Sequence, residues 1–268
     1  PEGYTLIDCD SSQIEARVLA WLSGQDDLVQ AFDRGEDVYK KMSSSIYGVE
    51  VNDVTKEQRF VGKTAILGAG YGMGAVRFKE QLKAQSGLDI DINEARRIIN
   101  VYRNTNWKIA HFWRECQSML DKMYNGTDVI TLRPRGLIVA KGEKIRLPSG
   151  LLMRYDDLNF TQGEKGREFS YATRQGRTRI YGGKVTENIC QAVARCIIGE
   201  QMLLIAKKYK VVMTVHDSIV CSVPCQEAAD VDDARQYIET CMRYVPEWCE
   251  GMPLECESGV GKTYGSCE

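Results

Sequence analysis

A four-residue step places the tightest limit on how this chain can fold. In the stretch RFVGKTAILGAGYG, Arg59, Lys63, Leu67 and Tyr71-Gly72 follow one another at that interval. Such a step keeps side chains on one slowly drifting helix face, so a guanidinium, an ammonium and a phenol can address one elongated anionic ligand. Gly68, Gly70, Gly72 and Gly74 must loosen or end the helix, since each glycine costs roughly 0.5–1 kcal/mol relative to alanine in a helix interior. Upstream stands Asp10 in CDSSQIEAR, and downstream His216-Asp217 in VMTVHDSIV. Two carboxylates with a basic comb point to a metal-bound polyphosphate.

At 268 residues with 43% hydrophobic and 27% charged side chains, the chain can bury a real core as one large domain or two modest ones. Its apolar runs are short and no basic segment precedes a long apolar one, which predicts neither a membrane span nor a secretory signal. It begins at Pro1 without an initiator Met, and the expectation is a processed or excised piece of a longer protein. Ten cysteines include no CxxC pair, and with only two histidines they suggest small buried hydrophobes in a reducing compartment, not a zinc site or a disulfide framework. The net charge of −2 hides a segregation. Arg133, Arg135, Lys141, Lys144 and Arg146, then Lys165, Arg167, Arg174, Arg177, Arg179 and Lys184, contrast with an acidic stretch around Glu227, Asp230, Asp232 and Asp233. For a nucleic-acid partner the local field matters, not the sum.

Periodicity predicts alternating extended and helical segments. GYTLIDCD reads as a strand ending at Asp8 or Asp10, followed by a helix in SSQIEARVLAWLSG with Ser12 as N-cap, Glu15 completing a capping box, and Gly24 as stop. A helix runs from Lys56 to about Leu67, and another long helical stretch is broken near Asn104 to Asn106. VITLRPRGLIVAKGEKIRLPSGLLMRYDDLNF reads as hairpins. KVTENICQAVARCIIGEQMLLIAKKY returns to helix, VVMTVHDSIVCSV is a strand pair with a polar insertion, and Gln226 to Tyr244 is helical.

In this order the pieces resemble the family A DNA polymerases of the bacterial DNA polymerase I type. The resemblance rests on DxSQIExRxLAxLSG from Asp10, RxxxKxxxxGxxYG from Arg59, Gln191 in ENICQAVAR, VHD at Val215 to Asp217, and GVG at Gly259 to Gly261. LPSGLLMRYDDL and RIYGGKVTENICQAVAR look more like phage-encoded members. The family implies an α/β (α+β) palm with an antiparallel sheet and helices, and a mainly helical fingers subdomain inserted in it. The corresponding ranges are 1–24 for palm, 25–183 for fingers with an inserted hairpin region, and 184–268 for palm.

The implied reaction is DNA-templated addition of deoxynucleoside triphosphates to a primer 3′ end. Two Mg²⁺ ions about 3.5–4 Å apart, with Mn²⁺ as a substitute, act on the attacking and leaving oxygens. By resemblance Asp10 and Asp217 are the catalytic metal ligands, with the Ser11 backbone carbonyl beside them. Arg59 and Lys63 contact the nucleotide phosphates and Tyr71 closes over the base pair. Gln13, Glu15, Tyr39 and Leu67 complete the nucleotide site, Glu15 lying beneath the sugar. Gln191 is a template-side contact and His216 one near the primer end. This sequence departs from the cellular pattern in three places: Leu67 stands where Phe or Tyr is usual, Tyr39 where a His often contacts phosphates, and Ser218 where a carboxylate commonly follows HD.

Two other readings compete. A single-subunit phage-type RNA polymerase shares the palm, a related Arg/Lys/Tyr-Gly helix and an HDS, but its first motif looks like DGxxxG and lacks SQIExR. A catalytically idle DNA-binding fragment is the other, because thumb and exonuclease domains lie N-terminal to the first motif in this family. The expected partners are primer-template DNA, dNTPs and an N-terminal thumb portion in cis or as a separate chain, with no membrane; the expected location is cytoplasm, the host's if the protein is viral.

Overall fold

The computed structural model describes residues 2–132, 134–163 and 166–267, so Arg133 and Lys165 of the basic run lie outside the described residues. The chain opens with strand β1 (Tyr4–Ser11), one residue longer than its apolar alternation predicts, and enters helix α1 (Ile14–Ser23). Helices α2 (Asp26–Asp33), α3 (Val38–Tyr47) and α4 (Lys56–Thr64) follow. A π-helical turn over Ala65–Ala69 continues α4, and α5 (Ala75–Ser86), α6 (Ile92–Thr105) and α7 (Trp107–Tyr124) come next. The expected break between α6 and α7 falls at Asn106.

The predicted hairpins are a four-stranded antiparallel sheet, β2 (Ile130–Thr131), β3 (Val139–Lys141), β4 (Lys144–Arg146) and β5 (Leu152–Arg154), in sequential order. A second antiparallel sheet is β6 (Asn159–Gly163), β7 (Gly166–Thr173) and β8 (Gly176–Ile180). Then come α8 (Gly182–Ile205), β9 (Lys210–Val215), β10 (Ser218–Pro224), α9 (Ala228–Met242) and β11 (Cys256–Gly261). Helix α9 is shorter at both ends than the stretch Gln226 to Tyr244 suggests.

These elements form two compact units, one of residues 1–18 and 191–268, the other of residues 19–190. The first is built on the antiparallel order β11-β1-β10-β9. One face of β1 is buried through Thr5, Ile7, Cys9 and Ser11, while Asp8 and Asp10 alternate onto the other face. Ile219, Val220, Cys221, Val223, Ile238 and Met242 extend the core of this unit. Gln201 is fully buried on α8 and ties it to the end of α9 by donating to the carbonyls of Met242 (2.6 Å) and Tyr244 (3.1 Å).

In the second unit α3 and α4 approach closely at Gly62, where a Cβ would stand 2.3 Å from both the Tyr39 carbonyl and Ser43 Oγ. Alanine there would force the helices apart. Among the described residues no helix is long and apolar enough to cross a membrane, and all ten cysteines are free, seven of them buried.

Candidate active site

In the first unit, strand pairing assembles the carboxylates. β1 pairs with β10 on one side and β11 on the other, which sets Asp10 opposite Ser218 and also opposite Glu257. Asp217 ends the two-residue connection His216-Asp217 between β9 and β10, whose flanking residues Val215 and Ser218 pair. The Asp217 carbonyl accepts from the Ser11 N–H at 3.2 Å, pinning this turn to the end of β1. Partial burial, then Asp217 and Asp8, then Glu257, push the Asp10 carboxyl up to about 6. Asp10 and Asp217 are thus brought together, as the motif spacing alone could not establish.

Two residues missed in the sequence complete the cluster. Asp8 shares the Asp10 face and accepts a 2.5 Å hydrogen bond from Ser218 Oγ, so the serine in the position of the usual carboxylate is spent on orienting another carboxylate. Glu257 was not legible, because only the β1–β11 register puts it beside Asp10. The D-C-D alternation did contain the signal for Asp8. Among the described residues no three Asp, Glu, His or Cys side chains are gathered closely enough to hold a metal ion by themselves, so a hard divalent cation here would rest on Asp10 and Asp217 with further oxygens from backbone, water or substrate, and its charge would offset both the burial and the repulsion that raise Asp10. The Ser11 hydroxyl is buried on the opposite face and among the described residues has no hydrogen-bond partner, leaving its backbone carbonyl as the group the implied role uses.

The capping box expected at Ser12 and Glu15 does not form. Gln13 adopts φ 56, and its carbonyl accepts the first helical hydrogen bond, from Arg17 N at 3.1 Å, so the helix starts one residue late. Ser12 Oγ is buried and among the described residues has no hydrogen-bond partner, and the Ser12 carbonyl accepts instead from Arg17 Nε at 2.7 Å. Arg17, only 6% exposed, also reaches the Pro253 carbonyl and so fastens the loop that follows Asp10. His216 sits at φ 54. Two left-handed non-glycine residues therefore flank the carboxylates, a conformation that costs of order 1–3 kcal/mol and tends to concentrate at functional sites.

Beside the carboxylates lies a groove of about 550 Å³ whose lining includes Glu15, Gln191, Arg195, His216 and Asp217. Arg195, one helical turn beyond Gln191 on α8, is exposed and was overlooked in QAVAR.

The second unit holds the cationic comb. Thr55 caps α4 in a box with Gln58, whose N–H donates to Thr55 Oγ1 at 3.2 Å while Thr55 N donates back to Gln58 Oε1 at 3.0 Å. Arg59 Nε donates to Asp37 Oδ2 at 2.7 Å, and its guanidinium stands 5.3 Å from the centroid of the Tyr39 ring. Asp37 in turn caps α3 by accepting from the N–H groups of Tyr39 and Lys40. Partial burial works against the Asp37 charge, but Arg59 and these backbone donors prevail and hold its carboxyl below the usual range. Tyr39 is 5% exposed, so its ring is a platform beneath Arg59.

Lys63 and Leu67 are exposed. The π-helical turn at Ala65–Ala69 breaks the four-residue phase between them and Tyr71, which lies in a turn and not on the helix. Trp113 Nε1 holds this turn by donating to the Gly70 carbonyl at 2.7 Å. A Cβ on Gly183 would stand 2.4 Å from the Tyr71 carbonyl, so the start of α8 can approach only as glycine.

Comparison with known proteins gives a consistent result. The family model described as DNA polymerase family A matches residues 1–266. The chain is 31% identical over 278 aligned residues to the DNA polymerase of Bacillus phage SP02, covering 98% of this chain and 41% of the phage protein. It is 39% identical over 98 residues to DNA polymerase I of Chloroflexus aurantiacus, an alignment covering 37% of this chain and 10% of that protein. In fold it resembles the polymerase domain of Pol1 from M. smegmatis in complex with DNA primer-template and dNTP, with a TM-score of 0.64, 21% identity, and coverage of all of this chain and 41% of that one.

Proposed function

Because the chain belongs to DNA polymerase family A, we propose that it carries the nucleotidyl-transfer centre of a DNA-templated DNA polymerase, with the sheet unit as palm and the helical unit as fingers. The observation that carries this reading is the juxtaposition of Asp10, near the end of β1, with Asp217 in the adjoining turn, with Asp8 and Glu257 beside them. The chain spans about two-fifths of the phage relative's length, 41%. Primer-template DNA and dNTPs are accordingly the proposed substrates of the whole protein, and viral replication its proposed setting.

Asp10 and Asp217, with the Ser11 carbonyl, would hold the divalent cations. Bound Mg²⁺, or Mn²⁺ in its place, would supply charge stabilisation of the attacking 3′ oxygen and the leaving pyrophosphate. The protein's own contribution is positional. Strand register and the fastening of the Ser12 loop by Arg17 fix the carboxylates before substrate arrives. Arg59 and Lys63 address the triphosphate; Arg59 is held by Asp37 over the Tyr39 ring in the meantime. Glu15 lies in the same groove as Gln191 and His216, which fits roles at the sugar, the template and the primer end respectively. Gln13, Tyr39, Leu67 and Tyr71 complete the proposed nucleotide site.

Primer extension with dATP and with ATP on a primed template tests this reading. Templated incorporation of dATP over ATP supports it, and preference for ATP would favour the RNA polymerase alternative.

A further inference from the structure

The sheet β2–β5 carries a feature that the proposed chemistry does not use. Its register sets Lys141 opposite Lys144 and Lys144 opposite Arg154, a row of three cations across β3, β4 and β5. The adjacent row on the same face is Val139, Arg146 and Leu152. Between them, Ala140 and Ile145 point the other way and are fully buried. Like charges directly opposite one another destabilise an antiparallel pair. The protein offsets little of this repulsion: Arg154 bonds to Asp156 at 3.1 Å, but among the described residues Lys141, Lys144 and Arg146 have no ion-pair partner.

This face floors a groove of about 870 Å³, open to solvent, with Val129 at one wall. Three carboxylates also line it. Asp156 is taken by Arg154, Glu143 accepts from the Leu158 N–H at 2.9 Å, and Asp128 remains. Val129 and Leu152 are more than half exposed, at 57% and 55%, and Leu151 beside the groove at 62%.

We infer that the β3–β5 face is a binding track for single-stranded nucleic acid, its phosphates on the row of cations and its unstacked bases against the exposed aliphatic side chains. A self-repelling cationic row selects a polyanion over a single small anion. Apolar surface interleaved with the charges selects a strand whose base faces are free, which a duplex does not offer. The inference concerns binding alone and stands or falls without the proposed synthesis.

The test is fluorescence anisotropy of the full chain with a fluorescein-labelled oligothymidylate of about 16 nucleotides, the upper site size of single-strand binding folds. Wild type is compared with a variant carrying Lys141→Gln, Lys144→Gln and Arg146→Gln, across a range of salt. The substituted side chains are exposed, and removing opposed like charges should leave the melting temperature equal or higher. The variant should bind about tenfold more weakly at low salt, with a log–log salt slope shallower by ~2, since each single-strand phosphate contact contributes about 0.7. Lys141→Arg with Lys144→Arg should restore both. Should the triple variant melt lower, Lys144→Gln alone carries the test, with a slope shallower by about 0.7. Unchanged affinity and slope, absence of binding by wild type at low salt, or equal competition by polyglutamate or by duplex DNA would each overturn the proposal.

Discussion

The two units present opposite electrostatic problems and solve them differently. In the sheet unit, like charges are forced together: Asp10, Asp217, Asp8 and Glu257 crowd one sheet end, and partial burial together with their repulsion raises the Asp10 carboxyl to about 6. At the head of α4 in the second unit, opposite charges are matched in advance, with Arg59 held by Asp37 over the Tyr39 ring. The first arrangement is poised to gain from an added cation, whereas the second must give up an existing partner to take an anion. Carboxylates stored under repulsion bind by relief, and a stored cation binds by exchange.

Four measurements would break or sharpen that contrast. The largest effect belongs to the carboxylates: Asp10→Asn and Asp217→Asn should each lower primer extension by about 10²-fold or more, the usual cost of losing a principal electrostatic stabiliser. The assay is extension by the full-length protein, and more than roughly a tenth of the wild-type rate in either variant contradicts that cost and the assignment with it.

Next comes the exchange. Arg59→Ala should lower kcat/KM for dNTP by about 10–100-fold, while Asp37→Asn, which frees the guanidinium, should lower KM for dNTP or leave it unchanged. A rise in KM with Asp37→Asn would mean that the pair positions Arg59 more than it occupies it.

A several-fold effect is expected at Glu15. Glu15→Ala should raise ribonucleotide over deoxyribonucleotide incorporation by opening space beneath C2′. A lower melting temperature with an unaltered ribo/deoxy ratio would return Glu15 to a purely structural role.

The smallest effect is on stability in metal-free buffer. The Asp10 carboxyl titrates near 6 in the folded chain against 3.8 unfolded, so ionisation favours the unfolded state. The stability advantage of the protonated form is complete below about pH 4 and is lost as pH rises through about 6. Asp10→Asn should therefore melt higher than wild type at pH 7, by about 1 kcal/mol or ~2–4 °C once solvent screening of an exposed carboxylate is allowed for. The difference should vanish near pH 4 and shrink when Mg²⁺ is added. A pH-independent difference in melting temperature would exclude the repulsion.

What the sequence disclosed follows the same division. Arg59 and Lys63 were proposed from a local helical repeat, and Asp10 and Asp217 from motifs that resemble those of a known family, Asp10 standing near the end of β1 and Asp217 in the turn between β9 and β10. Glu257 and the Ser218–Asp8 bond were not, since both depend on pairing between segments more than 200 residues apart. Ser12 misled because a serine ahead of an apolar stripe is the ordinary helix start. The left-handed Gln13 shifted that start by one residue, and nothing in the letters announces such a φ. The π-helical turn likewise moved Tyr71 off a phase that the four-residue step had implied.

The left-handed backbone at His216 has an evolutionary consequence. Glycine relieves that conformation outright, and asparagine eases it, so drift governed by folding alone would soon replace a histidine there. If His216 acts at the primer end as proposed, the stability and activity optima diverge at this position. A saturation library at residue 216 sorted by heat resistance should fill with Gly and Asn, and the same library sorted by nucleotide addition should return His.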